Sequence, residues 1–332
     1  MKTYSTLLSD YQKFTKNSSS DNQTFGAQML NDSIRTVCNL QGGKLRFLEA
    51  TKDLYTVANQ EGYLIPNGFR KLIDVYIYSG SGVSTSDVIY SPQMLFDPIR
   101  WKRVLQQKLG YGNVPYFTYI ENQTLKIQPI PSETGNLIRL RGRLQTRDLT
   151  IPDYTTGSIV SVANAGTAVV GTGTTWTADM VGRYIQITNT TAANGGDGFW
   201  YQIGTFTDAT HIGLLKPYEG TSIVAGTAAY TIGQCSVIPE AYDIAPVLRA
   251  AAIYWGINNP SSPNTKLSEY YWRQYDGGNE MGLSDTYGGL IGQMLANEGE
   301  TEEGSYVPPS SSIQNLPQAP YYFPYDLGTG MD

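Results

Sequence analysis

The sequence predicts an α+β protein: a helical bundle base, a β-meander, an inserted all-β (sandwich/barrel) module and an extended C-terminal arm. Three observations predict this fold class. Apolar residues recur at three- and four-residue spacing near both ends, they alternate in between, and Gly, Thr, Ser and Asn separate short strands after residue 157. The predicted units are a discontinuous core of residues 1–157 and 235–280, an inserted β-sandwich-like module of residues 158–234, and a C-terminal docking arm of residues 281–332.

The stretch of residues 239–257 is the predicted centre of the helical core. Pro239 suits a first helical turn, whereas Pro246 predicts a kink or a late start of the helix. Three alanines at 250–252 are small enough for another backbone to approach closely. The predicted apolar face consists of Ile244, Val247, Leu248, Ala251, Tyr254 and Trp255.

Two amino-terminal helices are expected to pack on this centre. The first covers about residues 3–15. Ser20 and Gln23 have the spacing of a capping box, which predicts the start of the second helix. Gly42 and Gly43 predict its end.

The next hundred residues predict strands and one short helix. Residues 59–62 are predicted to form a turn. Pro92 is predicted to be the first residue of the helix, and Phe96, Ile99 and Val104 are predicted to form its apolar face. The expected elements are a hairpin of residues 54–57 and 63–66, a strand at 72–78 with Leu72 and Val75 on opposite faces, the helix within 91–109, and a meander of strands 116–120, 124–128 and 137–146.

The inserted module is predicted from five short alternating strands. These are residues 167–170, 184–187, 200–204, 211–215 and 229–232, with a core built from Trp176, Tyr184, Tyr201, Phe206 and Tyr218. A last helix is expected over residues 264–276, stopped by Gly277 and Gly278. From residue 281 onward apolar periodicity is poor.

The amino-acid composition of the chain argues against some classes of function. Only 16% of the 332 residues are charged, while Gly (35) and Tyr (25) are abundant, which favours strands and extended contacts over a helical enzyme. The net charge of −6 argues against electrostatic attachment to nucleic acid. Cys38 and Cys235 are expected to be free, buried thiols. We expect synthesis in the cytoplasm and no membrane association, since no signal peptide and no long apolar run is evident.

No constellation for catalysis is recognisable, so we expect neither an enzyme nor a cofactor. His211, the single histidine, is expected at the surface rather than as a base. Residues 171–174 resemble a phosphate-binding loop in composition alone, and we predict a strand end and turn. Residues 194–198 are predicted to form a polar loop rather than a calcium site, because they lack a closing bidentate carboxylate. A hydrolase with an unrecognised site remains an alternative.

Two features suggest interaction surfaces. Arg139, Arg141 and Arg143 share one face of a predicted strand, and Arg147 extends the row. This row either is a solvated or subunit-contacting face, or it faces phosphates of DNA or an acidic neighbour. The carboxyl-terminal segment is Pro-rich and either is disordered or docks on a partner subunit, and its docking residues are predicted to be Tyr321, Tyr322, Phe323 and Tyr325.

The order of several motifs resembles a known family. In the core these are KLRFLEA (44–50), YLIP (63–66), KLIDV (71–75), PYF (115–117), LKIQPIP (125–131), DLT (148–150) and IPEAYD (238–243). This order resembles the head-to-tail adaptor, or connector, proteins of tailed bacteriophages. The segments GTGTTW (171–176), MVGRYIQI (180–187), WYQI (200–203), THIGL (210–214) and PYEG (217–220) resemble a β-unit of phage virion proteins.

The resemblance implies a structural virion protein in the neck between head and tail. It implies a homo-oligomeric ring, twelve-fold, under the portal protein ring, which contacts neighbouring adaptor subunits and the next tail or neck component. Packaged DNA would pass through its channel with non-specific contact, and no catalysis is implied. Because the β-unit also occurs in tail and fibre proteins, a tail, baseplate or fibre component with a glycan-binding β-module is the alternative.

Overall fold

The computed structural model confirms a mixed α+β protein. It describes residues 1–82, 87–107, 109–112, 114–188, 196–224, 226–257, 265–277 and 288–298. Its α-helices are α1 (Tyr4–Thr15), α2 (Ser20–Asn39), α3 (Pro98–Gln106), α4 (Ala245–Ile257), α5 (Thr265–Asp276) and α6 (Gly289–Glu298). Its strands are β1 (Glu49–Tyr55), β2 (Gly62–Leu64), β3 (Phe69–Tyr78), β4 (Ile89–Tyr90), β5 (Gln93–Leu95), β6 (Phe117–Glu121), β7 (Thr124–Gln128), β8 (Leu137–Leu144), β9 (Ser158–Val162), β10 (Ala168–Thr172), β11 (Tyr184–Ile187), β12 (Trp200–Asp208), β13 (His211–Leu214) and β14 (Tyr230–Gly233).

Helix α4 is the centre of one hydrophobic core. It contacts α1, α2 and α5, and α5 contacts α6. The side chains of Ala250, Ala251 and Ala252 are completely buried, as expected for a helix that others approach closely. The contact expected between the amino-terminal helices and α4 is therefore present. Fully buried partners in this core are Leu7, Tyr11, Val37, Leu45, Val247, Ile291 and Met294.

Hydroxyl side chains cap the amino-terminal ends of α1 and α2, and one of the predicted caps is wrong. Thr3 caps α1, since its hydroxyl accepts a hydrogen bond from the backbone N–H of Thr6. The predicted capping box at Ser20 and Gln23 is wrong, because Ser19 is the cap and accepts from the N–H of Asn22. Ser20 is instead the first helical residue.

Helix α4 begins at Ala245, so the late start predicted from Pro246 is confirmed. Residues 240–242 form a separate turn of 3₁₀-helix before it. Gly277, at a φ of +86°, follows the end of α5 as predicted. Helix α6 lies inside the segment expected to be extended from residue 281, and that expectation is wrong for residues 289–298, which bury Ile291 and Met294.

Two four-stranded sheets replace the predicted hairpin and meander. Their strand orders are β1-β8-β3-β4 and β2-β7-β6-β5. The hairpin is wrong because β1 pairs with β8, whereas β2 pairs with β7. The hydroxyl of Thr56 donates to the carbonyl of Glu133 and accepts from the N–H of Asn136, which ties the end of β1 to the start of β8. The meander is wrong because β8 leaves the β6–β7 hairpin for the other sheet.

Strand β3 departs from strict alternation. Its pairing with β8 shifts register between Leu72 and Asp74, which marks a bulge. Leu72 and Val75 are consequently both buried in the same core, although the sequence predicted them on opposite faces. One extra residue in a strand moves every later side chain to the other face.

The short helix after β5 begins later than predicted. Asp97 caps α3 and Pro98, not Pro92, is its first residue. Trp101 and Val104 are its buried residues, while Phe96 and Ile99 are 77% and 62% exposed. The predicted apolar face is therefore correct for Val104 and wrong for Phe96 and Ile99.

Residues 158–233 build a single six-stranded sheet in the order β14-β11-β12-β13-β10-β9. The segment leading into β14 pairs back to β9 through Ile223 and Ala228, which bends the sheet into a partly closed barrel. Of the two architectures predicted for this module, the sandwich and the barrel, the sheet is closer to the barrel. The five predicted strands are present and β9 was missed. Of the predicted core residues, Trp176, Tyr201 and Tyr218 are buried, and Tyr184 and Phe206 are partly buried.

Candidate interaction surfaces

The predicted arginine row lies on the central strand β8 and faces carboxylates of the same chain. Register places Asp53 of β1 opposite Arg139, and Asp74 of β3 opposite Arg141. The guanidinium of Arg139 donates two hydrogen bonds of 2.9 Å to Asp53. Arg141 donates at 2.6 Å to Glu49 and lies 3.7 Å from Asp74. Opposite charges on neighbouring strands stabilise the pairing.

Arg139 is held more firmly than a solvated arginine. The hydrogen bonds with Asp53 raise the pKa of Arg139, partial burial opposes this, and the Tyr78 ring lies 5.6 Å from the guanidinium carbon. Because both partners are more than a third exposed, the ion pair contributes at most about 1 kcal/mol to stability. Its main effect is to fix the direction of the side chain.

Arg143 and Arg147 differ from Arg139 and Arg141 in their exposure to solvent. Arg143 is 9% exposed, opposite Glu49 in register, whereas Arg147 follows the strand and is exposed. The four arginines therefore do not form a uniform basic face. The acidic neighbours of Arg139 and Arg141 belong to this chain itself, and the predicted role of the row toward DNA or another subunit stays a prediction.

The first turn of α1 contacts both segments that flank the six-stranded sheet. The Thr3 hydroxyl donates to the Asp153 carboxylate at 2.7 Å, and the N–H of Asp153 donates to the Ser5 hydroxyl at 2.9 Å. The backbone N–H of Tyr4 donates to the carbonyl of Gln234 at 2.9 Å. This junction, missed in the sequence, joins the helical core to the start and end of the β-module. In the sequence, this junction was indicated only by Thr3, a threonine directly before the apolar residues of α1.

An open groove of about 570 Å³ lies between α1, α2 and residues 148–150. Arg35 forms a bidentate ion pair with Asp148 at its edge, and Asn31 exchanges hydrogen bonds with the backbone of Leu149. These polar side chains are satisfied by one another. The polar groups at this edge of the groove are therefore engaged within the chain.

The histidine considered as a catalytic base lies at the surface, as expected. His211 is exposed and its Nδ1 faces both Asp208 and the Thr210 hydroxyl, so one ring nitrogen receives both contacts and no relay through the ring is formed. Hydrogen bonding with His211 lowers the pKa of Asp208 to about 2. That enzymatic activity is absent stays an expectation.

The two loop predictions have different outcomes. Strand β10 ends at Thr172, Gly173 has a φ of +64°, and Trp176 is only 2% exposed, which confirms a strand end and turn over residues 171–174. Residues 194 and 195 lie outside the described residues. The Asp197 carboxylate accepts hydrogen bonds from the Tyr201 hydroxyl and the Phe199 N–H. Within the described parts of the chain, no cluster of three potential metal-ligating side chains occurs.

Both cysteines are free, as predicted. Burial raises the pKa of each thiol to about 12. Cys38 is buried in α2, whereas Cys235 is only partly buried, which corrects the expectation for Cys235. The predicted arm residues Tyr321, Tyr322, Phe323 and Tyr325 lie outside the described residues.

Exposed apolar residues concentrate in a stretch that the sequence did not single out. Ile89, Phe96, Ile99, Tyr111 and Tyr116 are each more than half exposed. A signal was available in the sequence, because a cluster of basic residues lies between Ile99 and Tyr111. Among the described residues, no helix is long and apolar enough to cross a membrane.

Comparison with known proteins connects this fold to one family. Residues 2–165 match the family described as SU10 adaptor protein. The match contains α1 and α2, the two four-stranded sheets and the Thr3–Asp153 junction. No curated protein matches the chain. The resemblance to phage head-to-tail adaptors is thereby confirmed, and it rests on residues 2–165, which are similar to the SU10 adaptor protein family.

Proposed function

We propose that this protein is a structural component of the neck of a tailed-phage virion, where it forms a ring under the portal and joins the head to the tail. The observation that carries the proposal is the family match over residues 2–165. In this role the helical core around α4 is the base of the subunit. The ring, which we propose to be twelve-fold, leaves a channel through which packaged DNA passes.

The helical core suits a mechanical role. Distant parts of the chain meet there: the indole N–H of Trp255 donates to the carbonyl of Phe14 at 3.3 Å, and the Phe14 and Tyr271 rings stack with centroids 5.5 Å apart. Such contacts join α1, α4 and α5 in one unit that can carry load between neighbouring rings. The action is binding and sealing, without catalysis and without a cofactor.

Location in the particle is the direct test. Phage that lack this gene product should yield filled or emptied heads without tails, and complementation with the full chain should restore tailed particles. Symmetry-resolved imaging should then show its density as a ring between portal and tail. Density in fibres or a baseplate, with three- or six-fold symmetry, would contradict the proposal.

The carboxyl-terminal arm is proposed to dock on the portal or on an adjacent subunit. Deletion of residues 307–332 should abolish attachment to the portal ring. A more specific variant replaces Tyr321, Tyr322, Phe323 and Tyr325 by serine, and its control replaces Ser310, Ser311 and Ser312 by alanine. Wild-type attachment of the truncated protein would remove the arm from the proposal.

The arginine row is tested separately. Because Arg141 pairs with Glu49 and Asp74 of its own chain, reversal of its charge changes this face of β8 without removing a core side chain. If the row contacts DNA or a neighbouring subunit, Arg141→Glu should weaken DNA retention or ring assembly. Unchanged assembly and retention would show that the row has only an internal role.

The alternative of a glycan-binding fibre component rests on the β-module. Its core residue Trp176 cannot stack on a sugar, because its indole is buried and donates to the Tyr230 hydroxyl at 3.0 Å. Trp200 on β12 is half-buried and is the remaining tryptophan to test. Saturable glycan binding that Trp200→Ala abolishes would favour this alternative.

A further inference from the structure

Helix α3 and the residue before its cap present an exposed surface that mixes large apolar and basic side chains. Phe96 is 77% exposed, Ile99 62% and Leu105 43%. Three cations accompany them on the helix, and within the described residues none of these cations forms an ion pair. We call this surface the α3 face, and its members are Phe96, Ile99, Arg100, Lys102, Arg103 and Leu105.

The rest of the chain holds α3 by few contacts. The small cluster beneath it has three buried residues, Leu95, Trp101 and Val104, and Trp101 stacks on Tyr119 with ring centroids 5.4 Å apart. The indole N–H of Trp101 is buried without a hydrogen-bond partner among the described residues. A nine-residue helix is marginal in water unless its faces are packed. Covering the exposed side would therefore stabilise α3.

Phe96 is exposed at a position where packing is usual. It precedes the cap Asp97, and an apolar residue there commonly packs against the fourth helical residue, here Trp101. Its ring points to solvent instead. Exposure of the apolar side chains of Phe96 and Ile99 to water costs free energy. A protein partner that covers both side chains removes this cost.

Charge indicates the partner. Residues 88–116 contain four Lys and Arg and one carboxylate, whereas the whole chain has 23 Lys and Arg against 29 Asp and Glu. The other residues of the chain therefore carry a net negative charge as a group, so a second copy offers charge of the opposite sign. DNA also attracts cations, but phosphates do not compensate the exposure of Phe96 and Ile99.

We propose that the α3 face is an interface that binds the acidic surface of a second copy of this chain. The contact joins two different patches, so it propagates from copy to copy and closes when the rotation allows a ring. The inference rests on the proposed ring and adds the residues that build its subunit contact. Phe96 and Ile99 supply apolar burial, and Arg100, Lys102 and Arg103 select the acidic neighbour.

The test uses a photo-crosslinking amino acid at position 96 in the full chain. A mixture of ¹⁴N and ¹⁵N protein is irradiated and analysed by mass spectrometry, both as purified protein at high concentration and within assembled particles. We expect mixed-isotope crosslinks to acidic peptides of the neighbour. Arg100→Glu with Arg103→Glu should reduce their yield by tenfold or more, and Ile99→Ser should reduce it likewise.

Matched controls lie on the β-module. The crosslinker at Phe199, which is 67% exposed, should give no mixed-isotope product, and Lys216→Glu should leave the yield unchanged. Circular dichroism of each variant verifies folding. The proposal would be overturned if no crosslinks form or if all crosslinks stay within one copy. It would also be overturned if crosslinks between copies persist in the Arg100 and Arg103 variant.

The outcomes separate this inference from the proposed function. Rings in the neck without crosslinks at position 96 would contradict the α3 interface alone. Crosslinks between copies of a protein located in fibres would contradict the neck assignment and leave the interface standing. Salt-dependent binding of duplex DNA that requires Arg100 and Arg103 and is insensitive to Ile99→Ser, without crosslinks between copies, would assign the face to DNA.

Discussion

The guanidinium of Arg249 donates a hydrogen bond of 2.8 Å to the carboxylate of Asp32, a residue 217 positions earlier in the chain. Arg249 lies on α4 and Asp32 on α2, and the same guanidinium also donates to the Ser33 hydroxyl at 3.2 Å. This ion pair adds a charged component to the contact between the amino-terminal helices and α4. The Arg249 side chain is 18% exposed, so solvent screens the pair less than a surface pair.

Removal of this ion pair should loosen the helical core. Arg249→Met retains most of the apolar stem and should lower the free energy of unfolding by about 1–2 kcal/mol, because Asp32 and Ser33 lose their donor. Asp32→Asn should cost less, since Asp32 is half exposed. Urea denaturation of both single variants and the double variant gives the coupling energy. Strictly additive effects would contradict a direct interaction.

Gly26 allows α1 and α2 to approach closely. A Cβ at Gly26 would overlap the ring of Tyr11, which is fully buried and donates to Asn22 at 2.9 Å. Gly26→Ala should therefore destabilise the fold by about 1–3 kcal/mol, although alanine favours a helix by about 1 kcal/mol. Thermal unfolding measures the change, and Gln23→Ala on the exposed side of α2 is the control. A stabilised Gly26→Ala variant would show that Tyr11 can move away.

Tyr230 completes a hydrogen-bond chain in the β-module. Its hydroxyl accepts from the Trp176 indole at 3.0 Å and donates to the carbonyl of Thr156 at 2.5 Å. Tyr230→Phe leaves the buried indole N–H without an acceptor and should cost about 1–3 kcal/mol. Tyr55→Phe, at an exposed position, should change little. Equal melting temperatures for the two variants would contradict this account.

Asp10 links stability to pH. Burial raises its pKa, but hydrogen bonds from Lys2 and Lys13 outweigh burial, so the pKa of Asp10 lies below its ordinary value of 3.8. A lowered pKa in the folded state means that ionised Asp10 stabilises the fold above pH 3.8, and this contribution is lost as pH falls through the folded pKa. Asp10→Asn should therefore be less stable than the parent chain at pH 7 by about 1 kcal/mol. The difference should shrink as pH falls below 3.8 and disappear once pH is below the folded pKa of Asp10.

Urea denaturation at pH 7 and pH 3 checks the Asp10 prediction. Glu133→Gln, which changes an exposed carboxylate, serves as the control. Asp243 behaves oppositely, because burial raises its pKa and outweighs the nearby Lys2. A deficit of Asp10→Asn that is the same at both pH values would show that shape rather than charge is responsible.

Thiol reactivity tests burial near the Thr3–Asp153 junction. Since the pKa of Cys38 and Cys235 is raised to about 12, native thiolate at pH 8 should be about a thousandfold scarcer than for an unperturbed thiol. Iodoacetamide should therefore label neither residue quickly until urea unfolds the chain. Peptide mass spectrometry resolves the two sites. Rapid native labelling of Cys235 would indicate that the junction opens.

The sequence by itself determined where most helices and strands lie, because that information is local. Apolar spacing identified α1, α2, α4 and α5, Pro246 and Gly277 marked ends, and period-two patterns located the strands of the β-module. The family resemblance also came from motif order alone. The Tyr321–Tyr325 cluster stays a prediction, outside the described residues.

Only the tertiary structure decided which strands pair and which charges are neutralised. The turn at residues 59–62 suggested a hairpin, yet Thr56 bonds to residues 133–136 and directs β1 to β8. That pairing places Asp53 beside Arg139, so a row that looks basic in sequence is partly neutralised within its own chain. Strand pairing and ion pairing depend on residues that are distant in sequence, and local patterns carry no information about which distant segment is the partner.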